Sequence, residues 1–189
     1  MSILGSNMLA GAAGRARYQI ERSLRFNTGD SAYLDRTPDS AGNQKTWTWS
    51  AWIKRASFGI NTRLFDAYSA QTDTGWILLG FNTSDQLFIT GWSTVWKVTS
   101  QVFRDPSAFF HLVVAFDVTE STGSDRIKFY INGTQVTAFA TDNSPAQNTN
   151  HAVNGATTHE IGRYSQGQNQ YFDGLMADIQ FVDGQALAP

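Results

Sequence analysis

Between Thr46 and Lys54 the chain reads Thr-Trp-Thr-Trp-Ser-Ala-Trp-Ile-Lys, and its side chains alternate with a period of two. Trp47, Trp49, Ala51 and Ile53 fall on one side of an extended chain; Thr48, Ser50, Trp52 and Lys54 fall on the other. A helix would scatter these indoles around its circumference, whereas a strand gathers them on one face. The segment therefore predicts a strand with one face in a core, and it demands a second layer to bury that face.

Similar short runs recur along the chain, separated by turn residues. Strands are expected at 23–26 and 32–34, flanking Asn27-Thr28-Gly29-Asp30, and at 63–66, 76–81, 86–90 and 96–99. Others are expected at 111–117, 126–131, 135–140, 160–163 and 171–182. Asn132-Gly133 joins two of them as a tight hairpin, because both turn residues tolerate positive φ. No helical periodicity persists beyond two turns, and no repeat is found. The fold class is all-β, with at least a dozen strands in two packed antiparallel sheets.

A chain of 189 residues suits one such domain and can bury about 70% of its unfolded surface without a disulfide or metal staple. There is no cysteine, which excludes a disulfide frame and thiolate metal sites and favours assembly in a reducing cytosol. A net charge of -2 without a basic stripe argues against a nucleic-acid partner. No stretch has the length and apolarity of a membrane span, and the arginines of residues 1–20 follow the apolar stretch, the wrong order for a secretory signal.

Residues 1–20 stand apart from the domain at 21–189. Their small residues cannot fill a core, which leaves two readings: a flexible leader, or a docking arm that orders against a partner through Ile3, Leu4, Met8 and Leu9. The polar loop from Thr141 to Thr158 is long enough to be functional or mobile.

Three segments resemble laminin-G-like jelly rolls of the concanavalin-like lectin/glucanase superfamily: TWTWSAWIKR at 46–55, FHLVVAFD to RIKFYINGTQVT across 110–137, and HEIGRY to YFDGLMADIQFVDGQAL across 159–187. They stand in the family's order and spacing. The resemblance implies a concanavalin-like jelly-roll sandwich with Asn132-Gly133 in a central hairpin. It also implies that the strand begun by Phe172-Asp173-Gly174-Leu175 returns beside the first and closes the sheet, with Gly174 at a bulge or close backbone approach. A narrower resemblance joins the opening MLAGAAG and SLRFNTGDSAYLDRTP to lectin-like domains in virion proteins of marine tailed phages. That implies a virion component assembled in the host cytoplasm: a tail-fibre or appendage domain, or a capsid decoration or head-fibre protein. Its partners would be other virion proteins and host-surface glycan, and it would be a homo-oligomer.

Relatives of this fold include glycosidases, which need two carboxylates on one face, about 5 Å apart in retaining chemistry. The chain has three glutamates, Glu21, Glu120 and Glu160, none within strand spacing of another. Asp173, Asp178 and Asp183 lie five apart, so neighbours in that set point to opposite faces of a regular strand. His111 opens a strand amid apolar residues and reads as a half-buried sheet residue, while His151 and His159 lie in the polar loop region without Cys or Asp/Glu at ligand spacing. The expectation is a protein that binds or builds without catalysing, and without a cofactor. Asp66, Asp73, Asp117 and Asp125 are candidate oxygen donors for Ca²⁺, but no tight Asp-x-Asp loop joins them.

The six tryptophans divide by context. Trp47, Trp49, Trp52 and Trp76 lie within strands and are expected in the core. Trp92 and Trp96 bracket a turn, where exposed indoles stack on sugars or anchor interfaces. Tyr164, Asn169 and Tyr171 border the amide-rich loop 165–170. Trp92, Trp96, Tyr164, Asn169 and Tyr171 are therefore the candidate glycan- or partner-binding residues.

Overall fold

The computed structural model describes residues 21–166 and 170–189. The arm residues Ile3, Leu4, Met8 and Leu9, and Asn169 of the amide loop, lie outside the described residues.

Thirteen strands are present among the described residues: β1 (Leu24–Phe26), β2 (Leu34–Arg36), β3 (Thr46–Arg55), β4 (Thr62–Tyr68), β5 (Trp76–Phe81), β6 (Gln86–Thr90), β7 (Val95–Val102), β8 (Phe110–Asp117), β9 (Ile127–Ile131), β10 (Thr134–Gln135), β11 (Phe139–Asp142), β12 (Thr158–Ile161) and β13 (Gly174–Asp183). They form a six-stranded sheet in the order β1-β13-β3-β8-β9-β10 and a seven-stranded sheet in the order β11-β7-β6-β5-β4-β12-β2. Pairing is antiparallel throughout. This is the expected all-β, two-sheet jelly-roll sandwich.

The alternation in β3 works as its sequence demands. Trp47, Trp49, Ala51 and Ile53 point inward and are essentially inaccessible. They meet Leu64, Phe65, Ala67, Ile77, Leu79 and Phe81 of the other sheet in one core. Trp47 stacks on Phe116 at 4.6 Å and nearly parallel. Trp52, expected in the core, is instead half-buried on the opposite face, where it stacks on His111 at 5.0 Å; that histidine is the half-buried sheet residue expected.

Asn132 and Gly133 take φ values of 51° and 82°, the positive pair a tight hairpin needs. The hairpin is not central, however: β10 is the sheet's edge. The single strand expected at 135–140 divides, because the chain leaves β10 for the edge of the other sheet as β11. β13 returns between β1 and β3 as the family resemblance implies. Gly174 has φ 149°, and a Cβ there would run into the Lys54 carbonyl oxygen and the Phe172 ring.

One other reading is corrected. The parity argument for Asp173, Asp178 and Asp183 fails because β13 bulges between Ala177 and Gln180, with Asp178 at φ 49°. The long polar loop is anchored by part of its length. His151, Ala152 and Val153 turn into the core, and the His151 ring sits edge-on to Trp96 at 5.4 Å and to Phe116 at 5.3 Å. Burial pushes the His151 pKa down to about 4, so the ring is neutral at physiological pH.

Candidate functional site

The inward face of the seven-stranded sheet belongs to the core, and its outward face carries a second, chemically mixed cluster. Strand register sets that face in rows. Arg63, Gly80, Phe88 and Val98 lie side by side across β4, β5, β6 and β7. In a neighbouring row, Leu78, Asp66, Glu160 and Asp35 run from β5 across β4 and β12 to β2. Trp76 pairs with Tyr68, which pairs with Thr158. Trp76, Leu78, Phe88 and Tyr164 form a buried apolar cluster here, separate from the core between the sheets. Trp76 is thus buried as expected, but on the outer side of its sheet.

Trp92 completes this face from the turn between β6 and β7. Its indole is 39% exposed and meets Trp76 edge-on at 5.5 Å; Trp76 in turn meets Tyr164 edge-on at 5.3 Å. The turn is held by one carboxylate. Asp73 accepts from the backbone and hydroxyl of Ser93 at 2.6 and 3.0 Å, and from those of Thr94 at 3.0 and 2.6 Å. Desolvation works against its charge, yet these four bonds outweigh it and hold the carboxyl below its ordinary pKa. An exposed indole on a braced turn, backed by two further aromatic rings, is a pre-organised stacking surface.

Beneath it lie two carboxylates brought together by the β4–β12 pairing. Asp66 and Glu160 are cross-strand partners and fully buried. Asp66 accepts from the Trp76 indole at 2.9 Å and the Ser165 hydroxyl at 2.8 Å. Burial dominates over those bonds and pushes its pKa up to about 6. Glu160 accepts two hydrogen bonds from the Arg163 guanidinium, whose carbon lies 3.7 Å from the Tyr33 ring centroid.

The candidate residues separate sharply. Trp92 and Tyr164 share one face, each in contact with Trp76. Tyr164 is only 7% exposed, so it supports the surface more than it offers one. Trp96 is a correction: it is 2% exposed and lies in the core. The β6–β7 pairing shifts register between Ile89–Lys97 and Thr90–Val95, which leaves Trp96 as the extra residue of β7, set against Phe116 and His151. Tyr171 is half-buried and lies within electrostatic reach of Arg163. Arg63 was missed, and Asp66 and Glu160 were weighed only separately, as a calcium donor and an isolated glutamate. No local spacing could have shown them, because strand pairing between distant segments creates the cluster.

The candidate calcium ligands have separate local roles. Asp73 braces its turn, Asp117 accepts from Thr119, Asp125 pairs with Lys128, and Asp66 is engaged as above. No group of three or more acidic or histidine side chains suited to a metal ion occurs among the described residues.

A cavity of about 540 Å³ opens elsewhere, on the flank where β1 covers only residues 174–176 of β13 and β2 forms the other sheet's edge. Trp49 and Phe65 are among its lining, and Leu34 and Phe181 are partly exposed beside them. It contains none of the candidate binding residues.

Residues 27–189 match the family model described as the concanavalin A-like lectin/glucanases superfamily. The chain belongs to this superfamily. Solved structures agree on the architecture. A heptameric SAP-like pentraxin from Limulus polyphemus superposes with a TM-score of 0.59 at 14% identity, covering 82% of this chain and 71% of its own. A Bacteroides ovatus protein named for a suggested carbohydrate-binding role gives a TM-score of 0.58 at 14% identity, covering 91% of this chain and 45% of its own. A Trypanosoma rangeli sialidase gives 0.53 at 12% identity, covering 76% of this chain and 21% of its own. The lectin-like chain therefore spans under half of the Bacteroides protein and about a fifth of the sialidase. At such identities the likeness is one of fold. No curated protein matches the chain.

Proposed function

We propose that this lectin-like domain binds saccharide without cleaving it, as part of a phage tail fibre or appendage that recognises host-surface glycan. The observation that carries the binding is Trp92: an indole 39% exposed, backed by Trp76 and fixed by the Asp73-braced turn. Sugar rings present an apolar face that stacks on such a surface with little ordering cost. The fold of the Bacteroides protein, named for a suggested carbohydrate-binding role, supports the same reading. The virion setting rests on the resemblance of the opening and of SLRFNTGDSAYLDRTP to phage virion domains, with residues 1–20 as the attachment arm. Binding without hydrolysis is supported by the carboxylate pair, since Asp66 and Glu160 are buried and their oxygens are engaged by Trp76, Ser165 and Arg163.

Glycan-array binding by the purified chain, lost in Trp92→Ala while the variant stays folded by circular dichroism, is the expected result. Absence of binding to any glycan, or binding unaffected by Trp92→Ala, refutes the reading. Release of reducing sugar from a bound glycan refutes its non-enzymatic part.

A second reading treats the fold as a protein-interaction scaffold on the capsid. The open flank favours it, where Leu34 and Phe181 are 44% and 39% exposed beside the cavity. Stable attachment to purified capsids, weakened by Phe181→Ser and not by Trp92→Ala, is its signature.

A further inference from the structure

Among the described residues, the buried cations Arg55 and Lys97 are each paired with a carboxylate, whereas Arg63 feels Asp66 only at a distance and forms no ion pair. Arg55 is paired with Asp85 at 3.0 Å and donates to the Phe103 and Ser57 carbonyls. Lys97 is paired with Asp142. Arg63 is 8% exposed, yet its Nε and Nη1 have no hydrogen-bond partner. The two buried carboxylates of its face are turned to other donors, Asp66 to Trp76 and Ser165, Glu160 to Arg163.

The row across the sheet explains how Arg63 is held. Its cross-strand neighbour is Gly80, which presents no side chain, so the arginine reaches past it to the next strand. There the guanidinium carbon lies 5.3 Å from the Phe88 ring centroid and 5.7 Å from that of Tyr164. Ring faces attract the cation but supply no acceptor for its N–H groups. Burial lowers its pKa to about 10, which leaves the guanidinium charged at neutral pH. Leaving charged donors unsatisfied is costly, and the cost is recovered when an acceptor arrives. Tyr164 links this cation to the stacking surface, because the same ring meets Trp76, which meets Trp92.

We propose that Arg63 receives the carboxylate of an acidic saccharide, a uronic or sialic-type sugar, whose neighbouring ring lies on Trp92. This rests on the saccharide reading of the Trp92 face and gives it a ligand class. A planar carboxylate is the acceptor a guanidinium fits best, and a hydrogen bond to a charged group is stronger than one to a hydroxyl.

The test uses the full chain and an array of neutral, uronate-bearing and sialylated glycans. The tightest-bound acidic glycan is then titrated against its carboxyl-reduced form by tryptophan fluorescence. The expected result is at least roughly tenfold tighter binding of the acid. Arg63→Gln should bring the two forms to within about twofold, and Arg63→Lys should restore part of the difference, since Lys keeps the charge but not the planar donors. Thermal melting monitors folding; should Arg63→Gln not fold, Arg63→Lys and Arg63→Met carry the comparison. Equal affinity of wild type for acid and reduced forms overturns the inference, as does a preference that survives Arg63→Gln. Trp92-dependent binding of neutral glycans without acid preference overturns the Arg63 inference alone. No glycan binding by wild type overturns the saccharide reading as well.

Discussion

Trp92 and Trp96 stand four residues apart, look alike in sequence, and should behave oppositely when cut to alanine. Trp96 is 2% exposed and touches Phe116 and His151 in the core. A buried indole removes about 150–250 Å² from water, which at roughly 25 cal/mol per Å² is about 4–6 kcal/mol as an upper bound. Measured core replacements of this size cost about 3–5 kcal/mol, because the cavity left behind closes only in part. Trp92 has 39% of its surface exposed, so the same area sum allows it about 2–4 kcal/mol as an upper bound, and no enclosed cavity is left when its ring is removed. For a domain of this length each kcal/mol moves the melting temperature by about 2–4 °C. Trp96→Ala should therefore melt roughly 6–20 °C below wild type, and Trp92→Ala clearly less far below it. Urea unfolding at 25 °C, followed by fluorescence and by circular dichroism, gives both free energies on one scale. Equal losses in the two variants, or a Trp96→Ala loss below about 1 kcal/mol, would refute the assignment of Trp96 to the core and Trp92 to the surface.

Three further outcomes follow from particular contacts. Asp85 is buried and pairs with Arg55 at 3.0 Å and Arg104 at 2.7 Å, so Asp85→Asn strands the buried Arg55 charge and should cost about 3–5 kcal/mol by urea unfolding. Gly174→Ala forces a Cβ against the Lys54 carbonyl oxygen and should lower the melting temperature by several degrees, whereas Gly133→Ala meets open space and should show only the smaller penalty of positive φ. The pH dependence has two opposing parts. Asp66, raised to about 6 from an unfolded value of about 3.9, prefers its proton in the folded state, so its contribution falls as pH rises through that window. His151, lowered to about 4 from about 6.5, must stay neutral, so its contribution is full above pH 6.5 and is lost as pH falls toward 4. Wild-type stability should thus vary little from these two groups between pH 4.5 and 6, while Asp66→Asn should lose roughly 2–3 kcal/mol on acidification from pH 6.5 to 4.5. A flat profile for Asp66→Asn in urea titrations would falsify the opposed assignment.

Much of the fold was written in local pattern. The alternation at Trp47, Trp49, Ala51 and Ile53 named a buried face, because side chains on a strand must alternate whatever surrounds them. Asn132-Gly133 named a turn, because few residue pairs accept two positive φ values. Gly174 named a close approach of backbone, and the Lys54 carbonyl lies there. That no two glutamates share a strand could be read from spacing alone; a carboxylate pair formed across strands could not.

Tertiary pairing decided the rest. A strand has two faces, and the pattern of Trp76 could not say that its partner Asp66 lay on the outer face with Trp92 and Tyr164 instead of between the sheets. Trp96 was misread because the β6–β7 pairing bulges at it, an irregularity that comes from the partner strand and leaves no mark in local spacing. The Asp66–Glu160 pair and the unsatisfied Arg63 exist only because β4, β5 and β12 lie in register. The sequence by itself therefore determined the layers and their inner face, which depend on periodicity within a strand. Which residues share the outer face depends on strands brought together from distant parts of the chain, and only the folded sandwich brings them there.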